Sequence, residues 1–318
     1  MNPERAAAPI AAVTGATGFL GRHLVGALAE QGWQVRALVR RDAVLAAPAG
    51  VEPEIVIGGL SDEAALARLC RGAEVLVHAA GLIKARTAAD FADVNVAGAA
   101  RAARAALRAD VPRTLLVSSL AAREPQLSSY AASKRAGEAA AREVLGDRLS
   151  VLRPPAIYGP GDLETLGVFE AALRLPIAPV FDARARITMI HVEDAARQIA
   201  AAADRAPERP VVALCDARAD GYGWREIVEA AGKAVGRESR AVRLPSATLA
   251  VAGLAGATLR LLGANPIFTP GKAREMRHLD WSLGPEERWS TAPAPRFDLE
   301  GGFAHTVAWW RVAGMLRS

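Results

Sequence analysis

Apolar runs and amphipathic stretches alternate along the first half of the chain. Ile10–Val13 is a short apolar run, and His23–Ala29 has the apolar spacing of a helix. Trp33–Val39 alternates as a strand, Ile55–Ile57 gives another, and a helix follows over Glu63–Arg71. Glu74–Val77, Leu115–Val117 and Ser150–Leu152 read as further strands. Helices are expected over Phe91–Arg108 and from Tyr130 through Val144. Such alternation through residue 160 predicts an α/β fold built on a doubly wound parallel sheet. Beyond it Pro176, Pro179, Pro207 and Pro210 break the chain into shorter pieces, and a smaller α-rich region begins near residue 161. Ile187–His191 and Val211–Leu214 have the character of late strands.

The first strand runs into Thr14-Gly15-Ala16-Thr17-Gly18-Phe19-Leu20-Gly21, and a helix follows. Strand, glycine-rich turn and helix together are the context of a dinucleotide-binding fingerprint, here spaced Gly-x-x-Gly-x-x-Gly. Gly15 permits a tight turn, Gly18 lets the backbone approach a pyrophosphate, and Gly21 lets the helix lie close on the strand. The helix N-terminus offers free N–H groups to the phosphates. Residues 1–160, with roughly 187–215, are expected to form a Rossmann-type NAD(P)-binding domain. Residues 161–186 and 216–318 are expected to form a smaller α-rich C-terminal substrate region.

About 20 residues beyond the glycine turn, an acid binds the ribose of NAD, whereas a base accommodates the 2′-phosphate of NADP. Val39 holds the usual acidic place, and Arg40-Arg41 follow it. A guanidinium fork suits a phosphate, so NADP(H) is favoured; Asp42 keeps NAD(H) possible. Small residues at the fourth strand end, Ala79-Ala80-Gly81, let a flat cofactor lie against the backbone. His78 before them reads as structural rather than catalytic.

Ser118-Ser119 lie at the end of the fifth strand, where open α/β sheets bind ligands. Tyr130 and Lys134 stand at i and i+4, on one face of a helix. Together with Asn95 in Asn-Val-x-Gly, Leu152-Arg153-Pro154 to Tyr158-Gly159-Pro160-Gly161, and Ile190–Asp194, these motifs resemble the short-chain dehydrogenase/reductase superfamily in its extended branch. The ordered set covers roughly residues 10–200. The resemblance implies a catalytic Ser119, Tyr130 and Lys134, with Tyr130 as general acid/base and Ser119 bonded to the substrate oxygen. Lys134 would lower the phenol's pKa and hold the nicotinamide ribose. The cofactor would contact Gly15, Thr17, Gly18, Phe19, Leu20, Gly21, Arg40, Arg41, Gly59, Leu60, Ala79, Ala80, Gly81, Asn95, Tyr130, Lys134, Pro154 and Pro155.

Three departures bear on substrate. Ser119 and Tyr130 are only 11 positions apart, so the loop beside the site is trimmed. Gly59 stands where relatives place an Asp for adenine, leaving Leu60 to pack on the ring. Ala156 stands where nucleotide-sugar epimerases and dehydratases commonly carry an Asn, and it supplies no hydrogen bond. The apolar stretch Leu244–Leu262, Leu262–Pro270 and the late tryptophans look more like the steroid-dehydrogenase and dihydroflavonol-reductase side of the branch. Phe297 through Trp310 resembles the sugar epimerases as well.

The expected activity is an NAD(P)-dependent interconversion of a ketone and a secondary alcohol on a largely apolar small molecule. One alternative is a nucleotide-sugar epimerase or dehydratase with tightly bound NAD. Another is a non-catalytic accessory subunit, against which the Tyr130–Lys134 pair argues.

Composition changes little in this picture. The 318 residues are 51% hydrophobic and 23% charged, with two cysteines, which suggests a globular chain without a disulfide framework or zinc site. A net charge of +5 is scattered among acids without a basic block, so nucleic acid is not an expected partner. Met1–Pro9 lacks the core of a signal peptide, and a cytoplasmic location is expected. Leu244–Leu262 carries glycines, Ser246 and threonines; a buried or surface-docked helix is expected there rather than a membrane span, with peripheral membrane contact left open. Helices around 91–108 and 130–145 are candidates for a homodimer interface.

Overall fold

The computed structural model describes residues 8–316, apart from 42, 46, 176, 239, 246, 253 and 255–268. Seven strands form one parallel sheet: β1 (Ile10–Thr14), β2 (Gln34–Val39), β3 (Glu54–Ile57), β4 (Val75–His78), β5 (Arg113–Val117), β6 (Leu149–Arg153) and, late in the chain, β11 (Val211–Ala213). Their spatial order is β11-β6-β5-β4-β1-β2-β3. The order reverses between β1 and β4, which opens a crevice at their carboxyl ends.

Helix α1 (Phe19–Glu30) and helix α7 (Val192–Asp204) cover one face. Leu24, Val25 and Leu28 of α1 meet Ile199, Ala200 and Ala203 of α7 in one apolar cluster over β1 and β2. The other face carries α2 (Glu63–Cys70), α4 (Gly98–Arg108) and α5 (Ser129–Leu145). Alanines at 99, 102, 103 and 106 give α4 a thin apolar face, which lets it lie close to the sheet. Strands buried on both faces explain the continuous apolar runs in the sequence.

The predicted helix over Phe91–Arg108 is three segments: α3 (Ala88–Phe91), a π-helical stretch (Ala92–Ala97) and α4. Gly137 of α5 packs on the π-helical stretch, and a Cβ there would lie 2.2 Å from the carbonyl oxygen of Asn95. Only glycine allows so close an approach.

The remaining elements lie outside the large sheet. Strand β7 (Ala156–Tyr158) pairs with β10 (Met189–His191), β8 (Ile177–Val180) with β12 (Arg240–Arg243), and β9 (Arg186–Ile187) with β13 (Asp280–Trp281). Helices α6 (Leu166–Arg174), α8 (Trp224–Val235) and a long final helix (Leu299–Val312) surround a core of Tyr158, Phe169, Phe303 and Trp310. Residues 247–252 are helical, within the apolar stretch anticipated at Leu244–Leu262; its far part, and most of Leu262–Pro270, lie outside the described residues. Among the described residues no helix is long and apolar enough to cross a membrane.

Candidate active site

The turn between β1 and α1 is built from contacts no side chain would survive. Gly15 has φ +77°, and a Cβ there would lie 2.5 Å from the backbone nitrogen of Ala80, at the end of β4. A Cβ on Gly21 would lie 2.0 Å from the carbonyl oxygen of Gly15. Gly18 caps α1 without a side-chain hydrogen bond, so the N-terminal N–H groups face the crevice uncapped. A glycine cradle at an uncapped helix N-terminus fits a dinucleotide pyrophosphate. Thr17, Phe19 and Leu20 line the same turn, and Phe19 lies beside Gly161 from the segment after β7.

Strand β4 delivers the other wall. Thr14 Oγ1 and His78 Nδ1 are 2.7 Å apart, linking the ends of β1 and β4. His78 is buried, and burial pushes its pKa down to about 3, so it is neutral. Gly81, after Ala79 and Ala80, sits where a Cβ would be 3.2 Å from Asn95 Oδ1 and 3.5 Å from Lys134 Nζ.

The Asn95 amide is engaged by the protein itself. Its Oδ1 accepts from the Leu82 N–H (2.8 Å), and its Nδ2 donates to the Leu82 carbonyl (3.0 Å) and to Ser133 Oγ (2.9 Å). It fixes the loop after β4 against α5. Leu60 is turned onto Gly98 of α4, with Gly59 open beside it. Arg40 and Arg41 follow β2 exposed, and neither makes an ion pair among the described residues. Pro154 is buried and its carbonyl accepts from the Leu120 N–H; Pro155 is half-buried.

Strand β5 and helix α5 bring the predicted catalytic residues together. Ser128 caps α5 by accepting from the Ala131 N–H, which starts the helix immediately before Tyr130. Ser119 begins a short 3-10 turn (Leu120–Arg123), and its hydroxyl accepts from the Ala121 N–H (3.2 Å). Lys134 Nζ donates to the Val117 carbonyl at the end of β5, 2.8 Å away. The two adjacent serines have separate roles: Ser118 is buried and its Oγ donates to Glu138 Oε1 (2.5 Å), while Ser119 faces Tyr130.

The electrostatics differ from expectation in one respect. The Tyr130 phenol is pushed up to about 12 rather than lowered. Burial is the main cause, the Ser119 hydroxyl opposes it, and the Glu275 carboxylate adds to it. Burial also brings Lys134 down to about 8, against the pull of the Glu138 carboxylate. At neutral pH Tyr130 is therefore a protonated phenol, suited to donating a proton to a ketone oxygen, with the Lys134 ammonium one turn along the same helix.

Two participants went unnoticed in the sequence. Glu138 lies one helical turn beyond Lys134 and is gripped by Arg153 through Nε (2.9 Å) and Nη2 (2.6 Å). Its i+4 spacing from Lys134 was a usable signal. Glu275, on helix α9 (Pro270–Arg277), accepts from the Ser128 hydroxyl, and nothing in the local sequence announces it. A separate group, His191, Glu193 and His305, brings three potential metal donors together. His191 Nδ1 accepts from the Glu193 N–H (3.3 Å), which leaves the proton on Nε2, facing His305 Nδ1 at 3.3 Å. That arrangement suits a hydrogen-bonded clasp rather than a ligand set.

A glycine cradle at the switch point between β1 and β4 fits a nicotinamide-dependent oxidoreductase. A family model for the NAD-dependent epimerase/dehydratase family matches residues 11–213, and the chain belongs to that family. It is 51% identical over 308 residues to a ceramide reductase of Caulobacter vibrioides, covering 96% of each chain. It is 31% identical over 224 residues to a ketoreductase of Stigmatella aurantiaca, whose name specifies a farnesyl dihydroquinoline oxide; 64% of this chain and 67% of that protein are covered. Among solved structures, gox2253 superposes with a TM-score of 0.77 over 97% of this chain and 99% of that one, at 22% identity, a likeness of fold.

Proposed function

We propose that the protein reduces a ketone on an apolar lipid of the ceramide class to the secondary alcohol, with NADPH preferred to NADH. The carrying observation is the placing of Ser119 at the end of β5 and of Tyr130 and Lys134 one helical turn apart at the start of α5, with Lys134 Nζ anchored on the Val117 carbonyl. The 51% identity to a ceramide reductase across nearly the whole chain supports the substrate class. Ala156, exposed at the start of β7, offers a nucleotide sugar no side-chain hydrogen bond, which also favours an apolar substrate.

The bound cofactor supplies the hydride. Gly15, Gly18, Gly21 and the N-terminus of α1 would hold its pyrophosphate, and Ala79–Gly81 and Lys134 its nicotinamide half. Arg40 and Arg41, exposed and free of ion pairs among the described residues, are available for a 2′-phosphate. Ser119 and Tyr130 donate hydrogen bonds to the ketone oxygen. Tyr130 gives that oxygen its proton as the carbonyl carbon becomes tetrahedral, and the nearby Lys134 ammonium stabilises the phenolate until solvent returns the proton. Residues 161–186 and 216–318, with the apolar core around Phe169 and Phe303, form the substrate region in this reading.

The test is to follow reduced-cofactor absorbance with purified protein and a short-chain ketone analogue of a ceramide, alongside UDP-glucose. Consumption of NADPH with the ketone supports the reading. Interconversion of the nucleotide sugar without net cofactor change, and no ketone turnover, would overturn it.

A further inference from the structure

The two-stranded ribbon of β8 and β12 has two unlike faces. Residues paired across a parallel ladder share a face, and Ile177 pairs with Arg240, Ala178 with Ala241 and Pro179 with Val242. Ala178 is buried, on the side where α8 packs. Ile177 is 50% exposed, and Pro179 and Arg240 stand exposed with it. The chain then leaves β12 through Leu244 and Pro245 into the helical residues 247–252, where Leu249 is buried and Val251 is 70% exposed. An outward row of isoleucine, proline and valine is thus continued by an apolar helical segment.

The charges around this face are one-sided. Arg174 at the end of α6 and Arg240 are exposed, and neither makes an ion pair among the described residues; Arg243 pairs with Val180 on the opposite face, where it acts on the Asp182 carboxylate. Arg237 and Glu238, both exposed, precede Arg240 in the chain. Apolar side chains flanked by unpaired guanidinium groups complement an anionic bilayer, which takes apolar groups below its headgroups and cations at its surface. A protein partner would meet the same apolar groups, but unpaired arginines at both ends of the row, Arg174 and Arg240, specify an acidic counterpart spread over a plane.

We propose that the outer face of the β8–β12 ribbon and the helical segment after it dock on an anionic lipid surface. The proposal rests on the lipid-substrate reading above for its purpose: a ceramide-class ketone resides in a bilayer, and docking places the substrate region beside its source.

The experiment is vesicle flotation of the full chain, using phosphatidylcholine alone and phosphatidylcholine mixed equally with phosphatidylglycerol. Wild type is expected to float with the mixed vesicles only, and to be released by salt. Ile177→Glu with Val251→Glu should abolish flotation, and Arg174→Glu with Arg240→Glu should weaken it by at least about fivefold per arginine. Thermal melts and circular dichroism keep folding in view for both variants. Absence of flotation, or flotation unchanged by both pairs, overturns the proposal. So does a dimer in sedimentation velocity that Ile177→Glu with Val251→Glu converts to monomer, because a second copy then covers the face. Flotation without any ketone turnover counts against the lipid-reductase reading and leaves the docking surface standing; turnover without flotation does the reverse.

Discussion

Arg153 closes a two-pronged hydrogen bond on the Glu138 carboxylate, one layer behind the Lys134 ammonium, with side chains only 11% and 8% exposed. Removing one partner of such a pair strands the other in a poorly solvated place, at a cost of about 3–5 kcal/mol. Glu138→Ala should lower stability by that order in urea unfolding. It should also drop the Lys134 pKa further, since Glu138 is the group that raises it. Replacing both partners with apolar residues should recover much of the stability but not the Lys134 pKa.

Gly21→Ala tests the cradle. Its Cβ would meet the Gly15 carbonyl oxygen and the Ala16 Cα, both backbone atoms that no rotamer change can move aside. Overpacking of this kind costs about 1–3 kcal/mol. We expect NADPH affinity to weaken by roughly tenfold or more, read by cofactor fluorescence titration.

How much of this was legible beforehand follows from the range of the interactions. Gly15, Gly18 and Gly21 announce themselves because one local turn demands them, and Tyr130 with Lys134 because a single helix turn aligns them. The central parallel strands were readable as apolar runs because both faces are buried, whereas edge strand β3, with Ile55 and Ile57 exposed, was readable from its β-branched residues. Strands β8, β12 and β13 were not, since each is short and defined by a partner far away in sequence. The π-helical stretch at Asn95 was hidden for the same reason: its shape depends on Gly137 packing against it. The raised Tyr130 phenol was hidden too, because burial and a carboxylate 145 positions later in the sequence, Glu275, outweigh what the local motif implies.

Asn95→Ala should act through position rather than contact. The change leaves the Leu82 N–H and carbonyl without their side-chain partners, which costs about 1–3 kcal/mol for a buried group. The loop carrying Gly81 loosens, so the KM for the cofactor should rise while the Tyr130 ionisation is unchanged. Steady-state kinetics across cofactor concentrations separate the two.

The pH dependence has two opposite signs. Lys134 sits at about 8, below its ordinary value of 10.5, because burial disfavours the ammonium. Ketone reduction measured as kcat/KM should therefore fall as pH rises through about 8, while Tyr130, at about 12, remains protonated. Stability moves the other way. Between about 8 and 10.5 the unfolded chain keeps a proton that the folded chain has released, so the Lys134 contribution to stability increases with pH. Lys134→Met should remove both slopes, in rate profiles and in denaturation at a series of pH values.

The central claim is that Tyr130 protonates the ketone oxygen. It is tested most directly by single-turnover reduction with enzyme preloaded with NADPH, comparing wild type with Tyr130→Phe. The account predicts unchanged NADPH binding and a rate lowered by about 10²–10⁴ in the variant, the usual contribution of a positioned general acid. Reduction by Tyr130→Phe at the wild-type rate would contradict it.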